Sequence, residues 1–159
     1  MIFVTVGSEL PFDRMVRVVD QWAQAAGRKD VFAQIAEGEY QPTFIAHSKF
    51  LQPAEFTSRL NSATVVIAHA GMGTILSALQ REKPVLVMPR RAALREVRNE
   101  HQLATVRHLL KMGLVNAAFD ETELREQLER IDALKRPEKI SPHAGPELVG
   151  ALRQFIAGA

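Results

Sequence analysis

His69-Ala70-Gly71-Met72-Gly73-Thr74 stands between the apolar run Thr64 to Ala68 and the helix-like segment Ile75 to Arg81. A short apolar run that ends in two glycines and opens a helix is the strand–turn–helix unit of an α/β fold. The first amides of a helix have no acceptor within the helix, and the helix dipole places partial positive charge at the same end. An anion is therefore expected to fit at this turn. Gly71 and Gly73 lack Cβ atoms, which allows unusual φ values and close approach of a phosphate, and the Thr74 hydroxyl adds a donor. Each amide–phosphate hydrogen bond contributes about 1.5–3 kcal/mol. A bare Gly-x-Gly is equally compatible with a tight turn that binds nothing, so its surroundings decide.

Working outward, short β-branched runs at Ile2 to Val6, Val31 to Ile35, Thr43 to Ala46, Val85 to Met88 and Leu114 to Ala117 join Thr64 to Ala68 as six expected strands. Helical spacing of apolar residues marks Phe12 to Ala26, with Met15, Val16, Val18, Val19, Trp22 and Ala23, and further helices over Ala54 to Asn61, Thr74 to Arg81, Glu100 to Met112 and Glu121 to Leu134. The second and third strands have no helix between them. Elsewhere the alternation predicts a Rossmann-like, mostly parallel sheet with helices on both faces, whose ligands bind outside the carboxyl ends of the strands. The loops at those ends include Gly7 to Glu9, His47 to Pro53, His69 to Gly73 and Pro89 to Asn99. After a proline-broken segment, residues 144–157 are expected to form a terminal helix whose apolar stripe of Leu148, Val149, Leu152, Phe155 and Ile156 packs on the core or docks a partner.

At 159 residues the chain fits one domain, 1–159. Apolar residues at 47% and charged residues at 24% suit a globular chain rather than a disordered one. A net charge of +2 is too small to argue for nucleic acid, and the absence of cysteine rules out disulfides and thiolate metal sites. With no run of roughly 18 apolar residues and no leader-like start, a cytoplasmic location is expected. The local cluster Arg90, Arg91, Arg95 and Arg98 is left facing phosphate, an anionic membrane surface or water.

Several reaction motifs are missing: no Walker-type phosphate loop, no Gly-x-Ser-x-Gly elbow and no paired-histidine zinc motif. A dinucleotide fingerprint is nearly met, but its third glycine position is Leu76 and the turn follows the fourth strand rather than the first. An NADP-binding oxidoreductase fragment stays open on that ground, with Arg90 and Arg91 as holders of the 2′-phosphate. Of the histidines, His69 and His101 fall in carboxyl-end loops, where a neutral imidazole can donate to a phosphate or a sugar hydroxyl. His108 is expected to pack, the role of His47 before the Phe50-Leu51 loop stays open, and His143 carries little signal.

Thr5-Val6-Gly7, Phe50-Leu51, His69-Ala70-Gly71-Met72-Gly73-Thr74, Lys83-Pro84-Val85-Leu86-Val87-Met88-Pro89 and Asn99-Glu100-His101-Gln102-Leu103-Ala104 occur in that order. Over residues 1 to 118 the ordered set resembles the C-terminal, nucleotide-sugar-binding half of GT-B glycosyltransferases of family 28. The likeness is nearest to single-half catalytic subunits of the bacterial exopolysaccharide and dolichol-linked N-acetylglucosaminyltransferase types. The resemblance implies that Gly71, Met72, Gly73 and Thr74 hold the diphosphate of a UDP-sugar, with His69 in the same turn and Ser8 as a helper. It implies that Phe50 and Leu51 hold uracil through backbone groups, and that His101 and Gln102 reach the donor sugar. Relatives usually carry a glutamate for the ribose three residues after the Thr74 position; here that residue is Ser77, with Glu96 or Glu100 as substitutes. It further implies an inverting transfer without cofactor or metal, a separate membrane-associated subunit that binds a polyprenyl-linked acceptor, and recruitment to the inner face of the membrane. The general base is assigned to no residue of this chain. A non-catalytic assembly protein with a vestigial nucleotide site is the remaining alternative.

Overall fold

A computed structural model describes residues 1–137. The expected helix over 144–157, and His143, lie outside the described residues. Strands β1 (Ile2–Thr5), β2 (Val31–Gln34), β3 (Ala46–Ser48), β4 (Val65–His69), β5 (Val85–Met88) and β6 (Asn116–Ala117) form one sheet in the order β3-β2-β1-β4-β5-β6. Every pairing is parallel. Helices α1 (Asp13–Ala25), α2 (Pro53–Ser62), α3 (Met72–Leu79), α4 (His101–Lys111) and α5 (Glu121–Glu129) connect or follow the strands. Among the described residues, no helix is long and apolar enough to cross a membrane.

Alternation along the strands splits the core into two layers. Ile2 and Val4 of β1 face Met15, Val19 and Trp22 of α1 and Leu124 and Leu128 of α5. Phe3 faces the other way, into a cluster with Leu60 of α2, Ile75 and Leu79 of α3 and Val106 of α4. Both faces of the sheet are thus covered, as the alternation of apolar runs predicts.

Three element boundaries differ from the sequence expectation, each for a local reason. The third strand is Ala46–Ser48 rather than Thr43 to Ala46. The amides of Thr43, Phe44 and Ile45 are spent on the buried Asp20 carboxylate of α1, at 3.0, 3.0 and 2.9 Å, and the Tyr40 hydroxyl donates to it at 2.7 Å. Burial pushes the Asp20 pKa up, but these donors outweigh it and hold the carboxyl below its ordinary value. Helix α3 starts at Met72, so Gly73 lies inside its first turn. The segment Glu121 to Leu134 is α5 followed by a 3₁₀ turn over Ile131–Ala133, which seats Ile131 in the core and brings Asp132 to Arg28 at 2.7 Å.

Parallel order places the carboxyl ends of β1, β4 and β5 side by side. Thr5 pairs with Ala68, and His69 pairs with Met88. The strand order reverses between β1 and β4, so the connections leaving these two strands diverge and open a crevice between them. Gly7 to Pro11 forms one lip of that crevice and His69 to Gly73 the other.

Candidate functional site

A cavity of about 440 Å³ occupies the crevice, lined by Gly7, Ser8, His69, Gly71, Gly73 and Thr74, with Arg90 and Gln102 among its other walls. A second cavity of about 450 Å³ adjoins it across Gly7, Ser8, Gly73 and Thr74 and continues past Leu51, Phe56, Thr57 and Ser77. The start of α3 therefore forms the partition between two halves of one groove.

That helix start is open. No side chain caps α3, and its first helical bond is donated by Ile75 N–H to the Gly71 carbonyl at 3.1 Å. The amides of Met72, Gly73 and Thr74 precede that bond and have no acceptor within the helix. The two glycines contribute space rather than unusual φ values, contrary to the sequence expectation. Gly71 is extended at φ −81° and ψ 123°, and Gly73 is helical. A Cβ on Gly73 would meet no atom within 4 Å, so this position opens directly onto the groove. A Cβ on Gly71 would collide with His69 Nε2. From the other lip, a Cβ on Gly7 would lie 2.7 Å from His69 Cε1, and Gly7 itself sits at φ +82°. The imidazole is thus wedged between two backbone segments that only glycine leaves wide enough.

His69 is neutral at physiological pH. Burial, reinforced by the Arg90 guanidinium, lowers its pKa to about 4 against a weaker opposing pull from the Thr5 carbonyl. Its Nδ1 is buried and has no hydrogen-bond partner among the described residues. A neutral ring at this place adds no positive charge, so the field at the turn comes from the amides of α3 and from Arg90.

The arginine cluster divides three ways. Arg90 is 3% exposed and donates to the carbonyls of Val6, Leu10 and Pro11. Its guanidinium is therefore turned inward from the surface, at a wall of the first cavity. Arg91 Nε lies 3.6 Å from a Glu100 carboxylate oxygen, while Arg95 and Arg98 are exposed. Glu96 accepts both Arg14 Nε and Nη2 at 2.9 Å and the Arg91 amide at 2.9 Å; Glu100 accepts the Ala92 amide at 3.0 Å. Both carboxylates fix the Pro89 to Asn99 loop and line neither cavity. Ser77 itself does line the second cavity.

Of the residues singled out in the sequence, Ser8, His69, Gly71, Gly73, Thr74 and Gln102 border the first cavity, and Leu51 borders the second. Phe50, Met72 and His101 border neither. Phe50 is half exposed beside Leu51, and its carbonyl accepts the Ser48 hydroxyl at 2.7 Å. His101 is exposed at the start of α4, one residue from the inward-facing Gln102, and His108 is exposed rather than packed. The Gln102 side-chain carbonyl accepts the Arg90 amide at 3.0 Å, which leaves its NH₂ group for a ligand. Sequence reading missed Gln34, Phe56 and Thr57. Their signal was position alone, at the carboxyl end of β2 and on the first two turns of α2.

Residues 1–144 match the family model of the glycosyltransferase family 28 C-terminal domain. A human protein, UDP-N-acetylglucosamine transferase subunit ALG13, is 30% identical over 122 residues, covering 70% of this chain and 10% of that protein. The chain spans about a tenth of the length of that curated relative. An NMR solution structure of ALG13 superposes with a TM-score of 0.62 at 18% identity, covering 89% of this chain and 90% of the other. A crystal structure of the glycosyltransferase of kitacinnamycin gives 0.60 at 19% identity, covering 98% of this chain and 39% of that one. At such identities the two structures speak for the fold, whereas the family follows from the sequence match: the chain belongs to the glycosyltransferase family 28 C-terminal domain family.

Proposed function

We propose that the chain is the donor-binding part of a two-chain inverting glycosyltransferase. In this reading the first cavity takes the diphosphate and sugar of a UDP-sugar, and the second takes the nucleoside. The observation that carries it is the uncapped start of α3, which presents Gly73 without any atom in front of it to a groove shared by two cavities. Amides and helix dipole at that point stabilise the charge that grows on the diphosphate as UDP leaves. The acceptor hydroxyl attacks the anomeric carbon, the bond to the diphosphate oxygen breaks, and the proton passes to a general base that is assigned to no residue here. Gln102, with its NH₂ free, contacts the sugar; Thr74 and Ser8 contact the phosphates; Leu51, beside Phe50, backs the base. Met72 takes part through its amide, and His101 closes over the donor from the rim of α4. Ser77 is the hydroxyl nearest the ribose.

The second chain is supported by the human relative, which is by name a subunit of a UDP-N-acetylglucosamine transferase; transfer also needs an acceptor-binding half. We assign that half to a membrane-associated partner carrying a polyprenyl-linked sugar, which also recruits this cytoplasmic chain to the membrane. Residues 1–159 act as one donor domain, with 144–157 in contact with the partner. The NADP reading loses one of its two expected phosphate holders, since Arg90 donates to backbone carbonyls, and keeps Arg91.

Calorimetric titration with UDP tests the proposal. Saturable binding that disappears in Gly73→Asp supports the donor site; binding unchanged in a folded variant refutes it. NADPH binding that UDP does not displace would favour the oxidoreductase reading. UDP binding with no sugar transfer even in the assembled complex would favour the vestigial one.

A further inference from the structure

Arg90 follows β5, whose residues are all buried, and is itself 3% exposed. A buried guanidinium is costly unless its N–H groups are matched by acceptors. Here the acceptors are backbone carbonyls from one loop. Nη2 donates to Val6 at 2.8 Å and to Leu10 at 2.6 Å, and Nη1 donates to Pro11. The Phe12 ring centroid lies 4.9 Å from the guanidinium carbon. The acidic side chain that acts on Arg90, Glu96, is already shared between Arg14 and the Arg91 amide. Meanwhile the Arg90 amide holds the side-chain carbonyl of Gln102.

One residue thus joins two walls of the first cavity. A planar fork with fixed N–H directions serves several carbonyls of an irregular loop at once, which a point-like ammonium on a flexible stem does less well. Three carbonyl oxygens left bare beside an anion site would also repel the ligand; the guanidinium covers them and leaves positive charge at the wall.

We propose that Arg90 is a positioning residue of the donor site, clamping the Val6–Pro11 loop to the end of β5 and orienting Gln102, so that both walls meet one diphosphate-sugar. It acts through the loop and through Gln102: Nη2 spends both of its N–H groups on carbonyls and Nη1 one of its two. This inference rests on the donor-site reading above.

The test is UDP titration of the wild type, Arg90→Met, Arg90→Lys, Arg90→Ala and a control, Asp20→Asn, which weakens the Tyr40 to Ile45 staple away from the groove. Absence of binding in the wild type would defeat the donor-site reading itself. Given wild-type binding, Arg90→Met is expected to weaken UDP about tenfold or more. Arg90→Lys should weaken it about threefold to fivefold. Asp20→Asn should leave affinity within twofold while lowering the melting temperature. Methylguanidinium is expected to restore binding to Arg90→Ala. Wild-type affinity in Arg90→Met overturns the inference, as does a loss in Asp20→Asn that matches Arg90→Met at the same loss of stability. Should the methionine and alanine variants not fold, Arg90→Lys decides alone: affinity equal to wild type overturns the clamp.

Discussion

Helices α3 and α5 begin in opposite ways. At α5 the Asp120 side chain accepts the Glu123 amide at 2.8 Å, and the Glu123 carboxylate accepts the Phe119 amide at 2.8 Å. This reciprocal pair satisfies free donors from within the chain, in the manner of a capping box. At α3 the cap position is Gly71 and no side chain caps the first turn. Bareness alone does not distinguish α3, since α1 also starts without a side-chain cap. The difference lies in what stands in front: Gly73 and Thr74 border both cavities. Omitting a good cap costs about 1 kcal/mol, and a ligand that accepts the same hydrogen bonds offsets it.

The largest effect should come from turning the open start into an occupied one. In Gly73→Asp the new side chain enters empty space, and an acidic residue in a first turn favours the helix by about 0.3–1 kcal/mol. Thermal unfolding is therefore expected at or slightly above the wild-type temperature. UDP affinity should fall at least about a hundredfold, equivalent to roughly 3 kcal/mol, because the carboxylate fills the diphosphate seat. A variant both stable and able to bind would dissolve the contrast between the two helices.

Next in size is a pH effect specific to the α3 end. The folded His69 pKa is about 4 against 6.5 for a free histidine. Between those values the unfolded chain takes up a proton that the folded chain refuses, so stability falls as pH drops from 6.5 towards 4. At 1.36 kcal/mol per unit the full shift corresponds to roughly 3 kcal/mol at most. Asp20, depressed below 3.8, loses its contribution only below that value and leaves the window to His69. Denaturation curves across this range should flatten in His69→Gln. An unchanged slope would mean that the wedge between Gly7 and Gly71 does not keep the ring neutral. Gly71→Ala attacks the same wedge and should cost about 1–3 kcal/mol by displacing the imidazole, read as a lower denaturant midpoint.

The layout of this end of the molecule was largely visible in the sequence, because parallel strands buried on both faces read as continuous apolar runs. The turn after β4 and the loop after β1 could be placed at the carboxyl end of the sheet from that pattern, while their adjacency comes from the strand order. What escaped was decided by pairings distant in sequence. Thr43 to Ile45 has the composition of a strand, but Asp20 claims its amides. Arg90 looks like a surface charge after a strand, yet three carbonyls from the other lip draw it inside. Gln102 offers a donor and an acceptor on paper, but its acceptor is taken by Arg90. Gly73 reads as a turn residue, while the helix actually begins before it.

The smallest expected effect is at α5, and it isolates the cause most cleanly. Asp120→Ala removes the side chain that caps the Glu123 amide and should cost about 1 kcal/mol, visible as a modest shift in thermal unfolding. It makes the start of α5 as bare as that of α3, with the same dipole and free amides. If bare amides were sufficient for an anion seat, the variant would gain a second, weak UDP site. None is expected in calorimetry, and affinity at the first site should stay within twofold. What differs at α5 is the first turn itself: Glu121 and Glu123 occupy it, and their charge repels a diphosphate. The seat at α3 is then a property of the groove built between β1 and β4, with the helix start as its floor.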